Sequence, residues 1–344
     1  MNMRTRKSRG TRNSAIEDRV IDSRAARQPA VWMMNIAVLL ISVCGAPVFA
    51  DGKPVDETLP ASAKGHVEIS VVRGDLEVRG WDKDEIHVVG TLDEQMTEFV
   101  FDVDTDSAII AVRVPMNTNH WCCDEGANLV IYVPEGSQVN VSSVSTDVRV
   151  HDVKGGLDVG GVSGDVDLEN VGERVTVSSV SGDVDVNGAR GRVRLKSVSG
   201  DVHGVNIEGP MNIHSVSGAL MLRGVAGDVD VKTVSGDIDV QQLSFNELRG
   251  SSISGNIEVG GEVIAGGMIE CDTISGNIRL TFEGSDVSAR FDLDTRSGSI
   301  QNRVNTERPA VAKNANRESL RMVVGAGDAD VVLHTRSGDI VISK

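Results

Sequence analysis

Aromatic residues are scarce: six Phe, three Trp and one Tyr make up 3 % of 344 residues. Proline (eight) and cysteine (four) are also few, and 34 Lys+Arg stand against 50 Asp+Glu, a formal net charge of −16. The positive charge that exists sits largely at the front, where residues 1–50 hold eight Lys+Arg and three acids. The remainder therefore carries −21, a surface that repels phosphate backbones and anionic lipid and disfavours nucleic acid as a partner. A long apolar run is missing as well. The stretch from Ala30 through Val43 is shorter than the ~20 residues of a spanning helix and is followed by Gly45 and Pro47.

That stretch, the basic region before it and the small residues Val48 and Ala50 have the layout of a secretory signal, with cleavage expected after Ala50. An uncleaved anchor is the alternative. Cys44 follows Val43 rather than the small residue that lipid attachment requires. The mature chain is expected in the periplasm or cell envelope, or secreted, with no stable membrane insertion.

What is abundant is Val and Gly, the latter 37 times, which favours short strands and tight turns over helices. Residues 141–239 divide without a gap into eleven units of nine. Position one (Val141, Val150, Val159 and onward) is apolar in all but Gly204, and positions four and eight are apolar throughout. Position eight and the next position one lie two apart, on one side of a strand. Position four lies past a turn, where it is expected to plug a corner, and Gly at position six frees the backbone to bend. A helix would need apolar spacings of three and four.

Every second unit carries Val-Ser-Gly-Asp or a variant, as at Val162–Asp165, Val180–Asp183 and Val198–Asp201. After one extra residue near Phe245 the motif resumes at Ile253–Asn256, Ile274–Asn277, Arg296–Ser299 and Arg336–Asp339. The expected fold is all-β: a parallel β-solenoid (β-helix or β-roll) with coils of 18 residues, each stacked ~4.8 Å from the next. One coil cannot stand alone and must be stabilised by its neighbours. The expected organisation is a signal peptide (1–50), an N-terminal β cap with the first irregular coils (51–140), a regular solenoid (141–300), a surface loop (301–320) and closing strands (321–344). Alternating stretches such as Val67–Val72, Ile86–Val89, Phe99–Val103 and Asn128–Val133 supply the less regular strands of the cap.

At these residues the chain resembles a bacterial envelope family of candidate adhesins, domains of unknown function built of β-strand repeats. The resemblance runs roughly from Val67 to Lys344. It rests on Arg73-Gly74-Asp75-Leu76-Glu77-Val78 with Trp81, on Asn128–Pro134, on the Ser-Gly-Asp ladder and on the closing Thr335–Ile340. It implies a β-solenoid at the cell envelope with no established catalytic site.

The Asp column (Asp147, Asp165, Asp183, Asp201, Asp237) is the sharpest constellation, with second carboxylates at Asp167, Asp185 and Asp239. Stacked carboxylates ~4.8 Å apart repel by ~0.9 kcal/mol in bulk water, so they must splay into water, bond turn N–H groups or hold cations such as Ca2+. A calcium-binding β-roll needs Gly-x-Asp-x-apolar, and Val184 stands where the liganding Asp belongs. Solvated turn caps are the expected reading. The Ser column (Ser163, Ser181, Ser199, Ser217, Ser235, Ser254) has no recurring His and is expected to bond local backbone. Cys122 and Cys123 lie about eight coils, roughly 35–40 Å, from Cys271, too far for a bridge. A Cys122–Cys123 bridge, or a metal site with His120 and Asp124, is an alternative. His66, His87, His151, His203, His214 and His334 are scattered and expected on the surface. Arg73-Gly74-Asp75 is expected to be a solenoid turn rather than an attachment loop.

The sequence therefore points to an exported, non-enzymatic interaction or scaffold module with no catalytic, cofactor-binding or metal-binding residues assigned. Its expected partners are an envelope protein, a cationic peptide or a glycan, or another copy of itself. A polysaccharide-active β-helix enzyme is the rival, and only the loop Asn302–Glu318, with Arg303, Glu307, Lys313 and Arg317, could build its groove.

Overall fold

The computed structural model describes residues 52–93, 98–113, 126–284, 287–311 and 317–344, and the leader and Cys122–Cys123 with His120 and Asp124 lie outside them. The described chain is all-β and largely parallel. Its first part holds β1 (Lys53–Pro60), β2 (His66–Trp81), β3 (Glu85–Leu92), β4 (Glu98–Val103), β5 (Ser107–Arg113), β6 (Ala127–Pro134) and β7 (Gln138–His151). Longer and shorter strands then alternate: β8 (Leu157–Ser163), β9 (Val166–Glu169), β10 (Arg174–Ser181), β11 (Val184–Asn187), β12 (Arg192–Ser199), β13 (Val202–Val205), β14 (Met211–Ser217), β15 (Leu220–Val225) and β16 (Val229–Ser235). Two long bent strands follow, β17 (Ile238–Ser254) and β18 (Ile257–Ser275). The last part is β19 (Ile278–Phe282), β20 (Ala289–Thr295), β21 (Ile300–Asn302), β22 (Ala310–Val311), β23 (Glu318–Val324), β24 (Ala329–Ser337) and β25 (Ile340–Ser343).

The nine-residue pattern explains the alternation. Positions eight and one point inward from every strand, so Val175 and Val177 of β10 and Val184 and Val186 of β11 are all buried. Longer strands pair with longer ones and shorter with shorter, in parallel: Val175 with Leu157 and Val193, Val184 with Val166 and Val202. The offset widens at β17 and β18, where Val229 meets Leu248 and Leu248 meets Ile269. Gly204, the one gap in column one, is filled by its neighbours: a Cβ there would lie 2.7 Å from Leu222 Cδ2.

Position four divides into two columns. Val153, Val171, Ala189, Ile207 and Val225 are buried and plug a corner as expected. Val144, Val162, Val180, Val198, Val216 and Val234 are instead 44–49 % exposed. The backbone decides. Ahead of each buried member stands a residue of left-handed φ (Asp152 59°, Asn170 54°, Gly188 73°, Asn206 54°, Gly224 61°), which reverses the in–out parity of the chain. Before the Gly-Asp turn there is no such residue. Alternation simply continues, so the inward place falls to Ser179, Ser197, Ser215 and Thr233, all buried, and the Val turns out.

The Gly-Asp turn itself admits no side chain at its glycine. Gly182 and Gly200 have φ of 117° and 120°, and a Cβ on either would lie 2.2 Å from the carbonyl oxygen of the glycine stacked beneath.

Both ends depart from sequential stacking. β2 lies between β7 on one side and β5 and β6 on the other, so β3 to β6 form an outward excursion, edged by antiparallel β1 and β4. At the far end, β24 pairs with β18 and β20, and β25 with β19 and β21. Of the strands expected to close the end, β23 lies there, whereas β24 and β25 do not. They fill a gap one layer inside, and β20, β21 and the antiparallel hairpin β22–β23 form the outer layer. Of the expected loop (301–320), Gln301 and Asn302 belong to β21, Ala310–Val311 to β22 and residues 318–320 to β23, and 312–316 lie outside the described residues.

Candidate functional site

Three side-chain columns converge on the Gly-Asp turn. The innermost is the buried hydroxyl column, two residues before the serines picked out in the sequence. Several of its hydroxyls donate to turn carbonyls, Ser215 to Ser217 (3.1 Å), Thr335 to Gly276 (3.1 Å) and Thr295 to Gly338 (2.9 Å), whereas those of Ser197, Thr233 and Ser252 are buried without a partner among the described residues. The serines at 163, 181, 199, 217, 235 and 254 stand exposed on the turn.

The second column is aliphatic. Val144, Val162, Val180, Val198, Val216, Val234, Ile253 and Ile274 form a row of eight exposed side chains, each 44–49 % accessible. At one strand spacing per step the row is roughly 34 Å long.

The third is the aspartate ladder. The backbone N–H of Asp165 donates to Asp147 Oδ1 (3.1 Å), that of Asp183 to Asp165 (2.9 Å), that of Asp201 to Asp183 (2.8 Å) and that of Ala219 to Asp201 (2.7 Å). Beyond the gap at Ala219 it resumes: the backbone N–H of Asn256 donates to Asp237 (2.7 Å), that of Asn277 to Asn256 (3.0 Å), that of Asp339 to Asn277 (2.8 Å) and that of Ser299 to Asp339 (2.7 Å). Each side chain thus accepts the turn N–H of the next layer, which is why Asn serves as well as Asp. Among the described residues no three of His, Cys, Asp or Glu are grouped so as to hold a metal ion. On the short-strand face, Asp167 is pushed above the ordinary carboxylate range, first by burial and next by Asp185.

The long-strand face ends in a concavity of about 430 Å³. Ile274, Arg296 and Arg336 line its floor, so the aliphatic row gives way to arginine there. Arg317 and Arg321 come from the loop and β23, and bind Asp294 (2.7 Å) and Asp292 (3.1 Å). His334 lies 3.3 Å from Asp272. Sequence reasoning named Arg317 but not its partner Asp294, because the two become neighbours only through the antiparallel pairing of β20 with β23.

The remaining candidates are held in structural contacts. Arg73-Gly74-Asp75 is internal to β2, and a Cβ on Gly74 would lie 1.9 Å from Ala127 O. His87 is half-buried, stacked on Tyr132 (5.6 Å) beside Trp81 and paired with Asp56 (2.9 Å). His151 lies 3.1 Å from Glu169 and His203 3.2 Å from Asp185. Cys271 is buried and its thiol is pushed up to about 12, chiefly by that burial. No helix among the described residues is long and apolar enough to cross a membrane.

Nothing among the curated proteins matches this sequence. Among solved structures it is similar to a candidate adhesin from Parabacteroides merdae (12 % identity, TM-score 0.39, covering 86 % of this chain and 98 % of that one). Similar too are a candidate adhesin from Bacteroides fragilis (12 %, 0.34, 84 % and 97 %) and a candidate cell adhesion protein from Clostridium sporogenes (11 %, 0.21, 85 % and 99 %). The family model called Toastrack DUF4097 matches residues 58–343, which takes in both the Arg73–Trp81 opening and the Thr335–Ile340 close. The chain belongs to the Toastrack DUF4097 family.

Proposed function

We propose that this protein is an exported β-solenoid of eighteen-residue coils that acts at the cell envelope as a non-enzymatic interaction or scaffold module. The observation that carries this reading is the uncovered aliphatic row from Val144 to Ile274, eight side chains held at the strand spacing by the hydroxyl and aspartate ladders on its flanks. A contiguous exposed apolar strip of this kind marks an interaction surface. The rival, a glycan-cleaving enzyme, needs a carboxyl group free to act as acid or base. In the concavity lined by Arg317 and Arg321, Asp292, Asp294 and Asp272 are each held by a cation or a histidine, and in the one lined by Arg303, Asp239 and Glu258 are paired with Arg223 and Arg279 while Asp237 and Asp339 accept backbone N–H groups. The leader-like sequence before Asp51 supports export.

The test is retention of envelope proteins and glycans by the immobilised mature chain, with and without chelator, beside a Val162→Ser/Val180→Ser/Val198→Ser variant. Components held by the parent and released by the variant support the reading. Identical retention by the two, or cleavage of any offered glycan, overturns it.

A further inference from the structure

The strongly acidic composition conceals a local cluster of cations. On the short-strand face, Asp165, Asp167 and Glu169 follow one another at alternate positions, and Asp185 lies in register with Asp167. On the opposite, long-strand face, the outward residues of β12 are Arg192, Arg194 and Lys196, and Arg174 of β10 lies in register with Arg192. None of these four cations has an ion pair or side-chain hydrogen bond with a described residue, and the same is true of Arg296 and Arg336 in the concavity. The two groups share one face. From β12 the strand order runs β14, β16, β17, β18, β24, so five steps of ~4.8 Å and four residues along the strand, roughly 27 Å in all, separate Arg194 from Arg336. Between them Lys196, His214, Lys232 and Ser251 lie in register, a polar track leading to Ser251 at the concavity's edge.

Like charges placed side by side, in a chain with an excess of carboxylates to pair them with, form a surface poised for an external anion. The spacing requires an extended ligand carrying several charges. Nucleic acid is the weaker fit, because the described outward side chains from β10 to β20 include no Trp, Tyr or Phe on which bases could stack, and the rest of the surface repels a dense phosphate chain. Hydroxyl and amide groups interleave the cations instead (Thr176, Ser178, Asn212, Ser251).

We propose that the outer face of the long strands binds a linear anionic polysaccharide. Its carboxylate or sulfate groups meet Arg174, Arg192, Arg194 and Lys196, and one acidic sugar seats in the concavity against Arg296 and Arg336. Guanidinium forks suit planar carboxylates in particular. This rests on the interaction-module reading but uses side chains other than the aliphatic row, which runs beside them.

The experiment is calorimetric titration of the mature chain with oligogalacturonates of about four and about twelve sugars, since only the longer can engage both groups at once. The longer is expected to bind at least ten-fold more tightly, and more weakly as salt rises. Arg192→Gln/Arg194→Gln and Arg296→Gln/Arg336→Gln are each expected to erase the length advantage with an unchanged circular dichroism spectrum. Arg296→Lys/Arg336→Lys is expected to fall between. A sulfated glycan that binds more tightly keeps the site and assigns it to sulfate. No binding of either glycan at millimolar concentration, equal binding of polyphosphate or single-stranded DNA, or indifference to both arginine pairs overturns the proposal. The Val162→Ser/Val180→Ser/Val198→Ser variant, by contrast, is expected to bind the oligomers normally, which separates failure here from failure of the aliphatic surface.

Discussion

The aspartate ladder makes a demanding prediction because two opposed terms are of similar size. Asp183 accepts the N–H of Asp201 at 2.8 Å, and its carboxylate is flanked by those of Asp165 and Asp201. A hydrogen bond to a charged acceptor contributes about 1.5 kcal/mol at an exposed site. Repulsion from each neighbour ~4.8 Å away costs ~0.9 kcal/mol in water, and roughly half of that at physiological salt. Asp183→Ala loses the bond and the repulsion together, leaving a net loss of about 0.5 kcal/mol. Asp183→Asn keeps a neutral acceptor worth about 1 kcal/mol and loses the repulsion, so it should equal or exceed the parent. The two variants should differ by about 1 kcal/mol, a midpoint difference of about 2–3 °C in thermal unfolding for a chain of this size. Thermal melts followed by circular dichroism at low and physiological salt, with and without chelator, measure this. Equal losses in Asn and Ala would refute the backbone-acceptor role. A parent that melts earlier in chelator, with Asn as damaging as Ala, would make the ladder a cation site instead.

The gap at residue 219 offers the converse experiment: Ala219→Asn supplies an acceptor for the N–H of Asp237 and should raise the unfolding midpoint by about 2 °C. Val184→Thr buries a hydroxyl in the core and should cost about 2 kcal/mol, whereas Val180→Thr on the exposed row should stay within about 0.5 kcal/mol; similar losses at both would deny that row its outward position. Gly200→Ala forces a Cβ onto a carbonyl at a left-handed φ and should cost at least about 2 kcal/mol, or prevent soluble expression. Asp167 is raised in the folded state, so its ionisation opposes folding above the shifted value. Asp167→Asn should therefore stabilise at pH 7, with the advantage fading as pH falls through the shifted value and absent below the unfolded value near 3.8. Urea midpoints across pH 3–8 check that sign.

The repeat was legible because burial in stacked strands depends only on spacing two within a strand and on the recurrence of like shapes. Val166, Val184 and Val202 could be placed inward from the pattern alone. The split of position four was written in the sequence but not in its apolar residues. Asp152, Asn170, Gly188, Asn206 and Gly224, residue types that accept a left-handed φ, stand one place before every buried member, and of the exposed ones only Val162 is preceded by such a type, Gly161. The buried hydroxyls at Ser179 and Thr233 escaped notice because an inward polar residue breaks the rule that located the core. The insertion of β24 between β18 and β20 has no local signature, since parallel pairing depends on which edge is open when the strand arrives. The concavity with Arg296, Arg317, Arg321 and Arg336 depends on that insertion and so was hidden with it. Net charge was equally blind to the cation cluster on β10 and β12, because summing charges discards the strand face each one occupies.

The winding itself is tested most directly by disulfide trapping between Thr176→Cys and Arg194→Cys, register partners on adjacent long strands. Thr176→Cys with Asp185→Cys, nine positions apart and on the opposite face, is the comparison. Under mild oxidation, with cross-links mapped by peptide mass spectrometry, the first pair should close within one chain and the second should not. Closure of the nine-residue pair and failure of the eighteen-residue pair would contradict the account.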